Sequence, residues 1–351
     1  MTKDIRTYPL AQIAQLCEQE GLPRFRAQQL IDWLYLKGAM SYDHMTNLPK
    51  AMRQTFAERY PLAPVEVVDK QVSADGTRKY VFAFADGTRV EAVGIPSRAT
   101  GADGKPKHLS VCFSTQAGCA MGCAFCATGE AGLERNLSSG EMITQVLLVQ
   151  QDFDLRVSNL VSMGQGEPFQ NYENTLEALR FFNSEKGFGI GARHITISTC
   201  GIPDGIRKLS DEPEQFTLAV SLHAARQQVR DVLMPRCTNL PLDRLKDELL
   251  TYVEKTGRRV SLEYLMIDGA NDTAEDLEAL KNYCQGLLCH INLIPINAVS
   301  HSAWQPSSKA TQQLWVKELA AAHKEATIRD SRGADIDGAC GQLKNKLASG
   351  H

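Results

Sequence analysis

A chain of 351 residues is long enough to bury a large core, and the length suits one large α/β domain with a small accessory piece rather than several large domains. No apolar run is long enough to cross a bilayer and no charged-then-apolar leader opens the chain, so a cytoplasmic protein that does not associate with membranes is expected. A formal net charge of -3 argues against bulk electrostatic attachment to nucleic acid and leaves room for a local basic face.

The chain to about Tyr60 reads as helical, because Ala27, Leu30, Ile31 and Leu34 fall at i, i+3, i+4 and i+7 and form one apolar stripe. Residues 1–62 are expected to be a helical accessory module. From Gln71 to Pro96 the pattern alternates, with Tyr80, Phe82 and Phe84 on one face and Asp86-Gly87 marking a tight turn. With the Gly- and Lys-rich connection 97–107, this predicts a β-hairpin extension and linker over residues 63–107. Beyond His108, strands are expected at Leu109–Ser114, Asn159–Met163, His194–Ser198, Phe216–Leu222, Val260–Met266, His290–Pro295 and Thr327–Arg329. Helices such as Glu141–Gln151, Leu242–Lys255, Ala274–Gln285 and Thr311–His323 alternate with them, and Ser138 with Glu141 has capping-box spacing. Right-handed parallel crossovers follow, so residues 108–351 should form a full or partial (β/α) barrel. The unusual residues lie at the expected strand ends: the cysteine cluster, Gly166-Glu167-Pro168, Ser198, Ser221-Leu222-His223, Asn297 and Cys340. In such a barrel these loops share the C-terminal face, where active sites sit.

Ten cysteines without a secretory leader point to metal ligands or reactive thiols rather than a disulfide framework. Cys119, Cys123 and Cys126 have the spacing C-x3-C-x2-C. Each iron of a cubic [4Fe-4S] cluster needs one ligand, so three thiolates leave one iron open. S-adenosylmethionine (SAM) can chelate that iron through its amino and carboxylate groups, and electron transfer into the sulfonium then yields a 5′-deoxyadenosyl radical. The competing reading is a Cys3His zinc site completed by His108 or a distant histidine, although zinc modules usually pair two C-x2-C knuckles and only one occurs here. Glu167, with Gly166 permitting close backbone approach, suits the ammonium of SAM, and Phe125 could shield the cluster. Ser198, Ser221, Leu222, His223 and Asn297 are candidates for its carboxylate and ribose.

Taken together, Phe125-Cys126-Ala-Thr-Gly, Arg135-Asn136-Leu137, Gly191-Ala-Arg-His-Ile-Thr-Ile-Ser-Thr, Val220-Ser-Leu-His-Ala, His290-Ile-Asn-Leu-Ile-Pro and Asp335-Ile-Asp-Gly-Ala-Cys340-Gly-Gln-Leu resemble the RlmN/Cfr family of radical SAM methyltransferases of 23S ribosomal RNA adenosine. The resemblance extends from Leu22 nearly to the C-terminus. It implies two SAM molecules per turnover, one methylating Cys340 by displacement and one yielding the radical that removes hydrogen from that S-methyl group. It further implies that Glu91 takes the proton and that Cys112 attacks Cys340, forming a transient disulfide that frees the RNA. Carbon 2 of adenine is electron-poor and cannot attack the SAM methyl directly, so a radical route is required there.

The chain departs from the family pattern at Gln165, where a methionine is usual, and in a longer connection between Glu91 and Cys112. Cys126-Ala-Thr-Gly leans toward carbon 8, while Leu293-Ile-Pro-Ile-Asn and Gly166-Glu-Pro lean toward carbon 2. RNA is the expected partner, 23S rRNA first, with modification of transfer RNA left open and a radical SAM enzyme acting on a non-RNA substrate as the alternative; an electron donor such as flavodoxin or ferredoxin and a monomeric enzyme are expected. Arg or Lys at 193, 207, 208, 226, 230, 236, 258, 259, 329, 332, 344 and 346 are candidates for phosphate contacts. A base that must reach a buried radical has to be unstacked, which favours a single-stranded or loop adenosine.

Overall fold

The protein is described by a computed structural model covering residues 3–237, 239–297 and 303–343. Its N-terminal module contains α1 (Leu10–Gln19), α2 (Arg24–Tyr35) and α3 (Lys50–Arg59), each entered directly after a proline. Proline fits there because the first helical turn has no use for the missing N–H. Ile13, Leu30, Leu34 and Phe56 form the module's buried seam. Arg6, also buried, donates to the carbonyls of Ala63 at 2.6 Å and Ala39 at 3.1 Å, tying the entrance of the module to its exit.

Three antiparallel strands follow: β1 (Glu66–Val72), β2 (Arg78–Ala83) and β3 (Arg89–Pro96). Gly87, at φ 84°, makes the tight turn between β2 and β3 that Asp86-Gly87 predicted. The third strand pairs antiparallel with β4 (Leu109–Cys112), Val93 opposite Cys112. The meander is therefore continuous with the main sheet. The long connection does not disturb this register, because Ser97 N–H donates to His108 O at 2.8 Å and closes the loop at its base.

A small hairpin of β5 (Gln116–Gly118) and β6 (Leu133–Asn136) frames the cysteine motif. Next come α4 (Ser139–Phe153), β7 (Val157–Ser162), α5 (Tyr172–Asn183), β8 (Ile195–Thr199), α6 (Pro203–Asp211) and β9 (Thr217–Ser221). The chain continues through α7 (Gln227–Leu233), α8 (Leu242–Thr256), β10 (Val260–Met266), α9 (Ala274–Tyr283), β11 (Cys289–Pro295), α10 (Lys309–Ala321) and β12 (Ala326–Ile328). Ser138 and Glu141 form the expected reciprocal cap of α4.

The sheet runs β1-β2-β3-β4-β7-β8-β9-β10-β11-β12, and its members from β4 onward are parallel. Sequential neighbours joined by helices make a partial (β/α) barrel. Among the described residues the sheet does not close, since β12 pairs only with β11. The seven expected parallel strands are all present, and Val260–Met266 has the expected bounds. Three crossover helices, α5 to α7, complete the helical layer.

Candidate active site

The β5–β6 hairpin holds the cysteine loop by its ends. Cys119 N–H donates to Gly132 O at 2.9 Å, and a Cβ on Gly118 (φ 71°) would lie 2.1 Å from that oxygen, so only glycine fits this crossing. On its outer side the loop is held by Ala124 N–H to Leu233 O at 2.9 Å and by Arg236 Nη1 to Ala120 O at 2.7 Å. Cys119, Cys123 and Cys126 all line one cleft of about 940 Å³. Burial raises the Cys119 thiol to about 11 and pushes Cys123 well above its ordinary value, so iron must displace protons to bind. Among the described residues no three His, Cys, Asp or Glu side chains converge as ligands of a single ion. Three thiols around an open cleft suit a cluster with one uncapped iron.

The same cleft is lined by Gly166, Glu167, Ser198, Ser221 and His223. Gly166 stands at φ 104°, and a Cβ there would approach Gln116 Cβ to 2.6 Å. Glu167 is 3% exposed, and its carboxylate accepts from Phe169 N–H at 3.0 Å and Cys200 N–H at 2.7 Å. Burial raises its pKa against these bonds, and lone pairs remain for an ammonium donor. His223, at φ 56°, accepts through Nδ1 from Leu265 N–H at 3.2 Å; burial pushes its pKa down to about 3, so the ring is neutral. Phe125 meets it edge-on, with ring centroids 4.7 Å apart. Leu222 is different: its side chain is fully buried in the core, and it offers only backbone, which bonds Glu263 and Arg230.

Cys340 is exposed and lines both this cleft and a second one of about 870 Å³, which Cys112 and Asn297 also line. Its loop is fastened to the cluster loop by Ala127 N–H to Gly341 O at 2.8 Å and Thr128 Oγ1 to Leu343 O at 2.8 Å. Asn297, which follows β11, also holds the Cys340 loop, Nδ2 donating to Cys340 O at 3.3 Å. Burial, then the Cys340 sulfur, raises the Cys112 thiol to about 12. Glu91 lines neither cleft. It is 1% exposed on β3, with Lys79 Nζ at 3.6 Å, and its carbonyl accepts from Ser114 Oγ at 2.5 Å.

Residues 4–61 match the ribosomal RNA large subunit methyltransferase N-terminal domain, and residues 113–284 match the radical SAM superfamily. A probable dual-specificity RNA methyltransferase RlmN from Clostridium perfringens (strain SM101 / Type A) is 39% identical over 97% of this chain and 96% of that protein. Its counterpart from Acaryochloris marina (strain MBIC 11017) is 42% identical over 95% of this chain and 92% of its own. A radical SAM methyltransferase from Sphaerobacter thermophilus superposes with a TM-score of 0.89 at 41% identity, over 97% of this chain and 99% of that one. The chain belongs to the RlmN family of radical SAM methyltransferases.

For this RlmN-family chain the departure at position 165 lies away from the chemistry. Gln165 is 3% exposed and lines neither cleft, whereas Met163 lines both. The basic residues are mostly engaged within the protein. Arg207, Lys208, Arg226, Arg259 and Arg332 pair with Glu248, Glu173, Glu275, Glu325 and Asp75. Arg193 bonds Gln215, and Arg258 donates to the backbone. Arg230 is a correction to the expected phosphate contacts: it is fully buried, donating to the carbonyls of Leu222, Leu240 and Cys200, so it knits the cleft wall instead. Lys344 and Lys346 lie outside the described residues. Sequence reasoning missed Thr128, which anchors the Cys340 loop, and Glu263, a buried carboxylate on the cleft wall. The signal for Glu263 was a charge inside the run Val260–Met266, since a buried charge demands a partner.

Proposed function

We propose that this protein is a radical SAM RNA methyltransferase that methylates carbon 2 of an adenosine in 23S ribosomal RNA through a methylated Cys340. The observation that carries the reading is the position of Cys340 at the junction of the cluster-cysteine cleft and the Cys112 cleft. A thiol so placed can receive a group on one side and be resolved on the other. The relatives named as dual-specificity RNA methyltransferases support the substrate class.

Cys119, Cys123 and Cys126 would hold the cluster, and Glu167, Ser198, Ser221, His223 and Asn297 would orient SAM or the loop against it. When bound, the cluster and SAM supply the 5′-deoxyadenosyl radical. The Cys340 sulfur takes a methyl group from a first SAM, its proton passing to solvent, and the S-methyl group later gives up one hydrogen. The methylene so formed adds to the base. Glu91, beside Lys79, accepts the proton lost from carbon 2, and Cys112 then attacks the Cys340 sulfur, so that the disulfide forms as the sulfur–methylene bond breaks; the methylene carbon takes up a proton to become the methyl group, and the one surplus electron passes to the oxidised form of the one-electron donor. A one-electron donor of the flavodoxin or ferredoxin kind and a cytoplasmic monomer complete the proposal; no helix of the described residues is long and apolar enough to cross a membrane.

The test is an anaerobic incubation of reduced, iron-loaded protein with SAM and a ribosomal RNA fragment, followed by digestion and mass spectrometry. 2-Methyladenosine is the expected product. An 8-methyladenosine peak would move the site of attack, and unmodified RNA alongside 5′-deoxyadenosine would refute the RNA substrate.

A further inference from the structure

Arg329 follows the last residue of β12, and its N–H donates to Leu293 O at 2.7 Å, so its backbone prolongs the parallel ladder. Its side chain is one-third exposed and lines the outer cleft with Cys112 and Cys340, but not the cleft of the cluster cysteines. Among the described residues the guanidinium has few acceptors. Nη1 lies 3.8 Å from Met163 Sδ, a weak acceptor, and 3.6 Å from Glu263 Oε2, beyond hydrogen-bond length. Glu263 is 4% exposed, and its other oxygen is held by Ser261 Oγ at 2.9 Å and Asn292 Nδ2 at 2.8 Å. That buried carboxylate fixes the charge of Arg329 in place without consuming its donors. The Cys340 sulfur, then Glu263 and Cys112, raise the Arg329 pKa against the pull of burial, so the group is a permanent cation beside both thiols.

We infer that Arg329, braced by Glu263, is a specificity-determining residue that donates a hydrogen bond to a ring nitrogen of the target adenine next to carbon 2. This rests on the RNA methyltransferase reading above. The outer cleft, with Ile95, Val161, Ile294 and Leu343 among its walls, offers apolar faces to an unstacked purine, and Arg329 brings it a permanent cation beside Cys112 and Cys340. Carbon 2 lies between two acceptor nitrogens. When the Cys340 methylene adds to that carbon, its unpaired electron pairs with one electron of the ring C–N π bond, and the other electron is left on the adjacent nitrogen. The adduct is neutral until the carbon-2 proton leaves; negative charge then develops on the ring nitrogens, and a fixed N–H donor at one of them stabilises it. Arg329 does not line the cluster cleft, so its loss is expected to fall more heavily on transfer to the base than on methyl donation from SAM.

The test compares wild type with Arg329→Gln and Arg329→Lys, all iron-loaded, on RNA carrying adenosine, 1-deazaadenosine or 3-deazaadenosine at the target position. Intact-protein mass reads S-methylation of Cys340, 5′-deoxyadenosine reads SAM cleavage, and digestion reads methyl on RNA. Arg329→Gln is expected to retain S-methylation while transfer to RNA falls about a hundredfold, the usual size of losing one such donor. Arg329→Lys recovers part of the rate. One of the two deaza substitutions slows the wild type and adds no further penalty in Arg329→Gln. Wild-type transfer rates in Arg329→Gln, equal loss of S-methylation, or an undiminished deaza penalty in the variant each overturn the inference alone. Wild type that methylates Cys340 but never RNA overturns the reading beneath it.

Discussion

Release of the methylated RNA should depend steeply on pH, because the resolving thiol is hard to ionise. Burial, aided by the neighbouring Cys340 sulfur, raises Cys112 from the ordinary 9.0 to about 12. Three pKa units correspond to roughly 4 kcal/mol against the thiolate, and leave on the order of one Cys112 in 10⁵ ionised at neutral pH. Only the thiolate attacks sulfur, so the resolution rate should climb about tenfold per pH unit through the range where an ordinary cysteine would already level off. The assay is a chase of the covalent RNA–protein adduct, trapped with limiting SAM and followed by gel mobility from pH 7 to pH 9.5. Cys112→Ser should hold the adduct at every pH. A wild-type release rate that levels off near pH 8 would refute the argument, since it would mean that substrate binding exposes Cys112 or supplies it with a base. The same shift has a stability consequence: the buried neutral thiol contributes fully below the unfolded value and loses that contribution as pH rises from about 9 toward 12.

Other substitutions probe the frame of the site. Gly166→Ala forces an L-residue into φ 104° and a Cβ to 2.6 Å of Gln116 Cβ, so a loss of about 2–4 kcal/mol and weaker SAM binding are expected, read by thermal melts and calorimetry. His223 is neutral when folded and ionises freely when unfolded; the unfolded chain therefore binds the extra proton below pH 6.5, and stability falls as pH drops from there toward 3. Urea titrations of His223→Gln from pH 4 to 7 should show a shallower slope than wild type, and an unchanged slope would contradict the assignment. Thr128→Val removes the bond to Leu343 O and should speed alkylation of Cys340 by iodoacetamide while costing about 1 kcal/mol. A Cys340 alkylation rate equal to wild type would show that the other links hold the loop by themselves.

Much of this arrangement was already written in local patterns. The alternation of apolar strands and amphipathic helices determined the parallel core, since each strand–helix–strand unit buries its apolar face in only one hand. The C-x3-C-x2-C spacing placed three thiols on one short loop, and the addresses of Glu167, Ser198, Ser221, His223 and Cys340 followed from strand ends that a barrel brings to one face. What the chain alone did not determine were relations between residues far apart in sequence. That Cys340 joins two clefts depends on Thr128 and Asn297 reaching across 215 and 43 residues, bonds that leave no periodic trace. Arg230, in α7, and Arg329, just after β12, look alike in the sequence, yet one is fully buried among carbonyls and the other lines a cleft with a buried carboxylate behind it. Charge is legible in a sequence, but the partner that fixes its use is chosen only when packing brings the elements together.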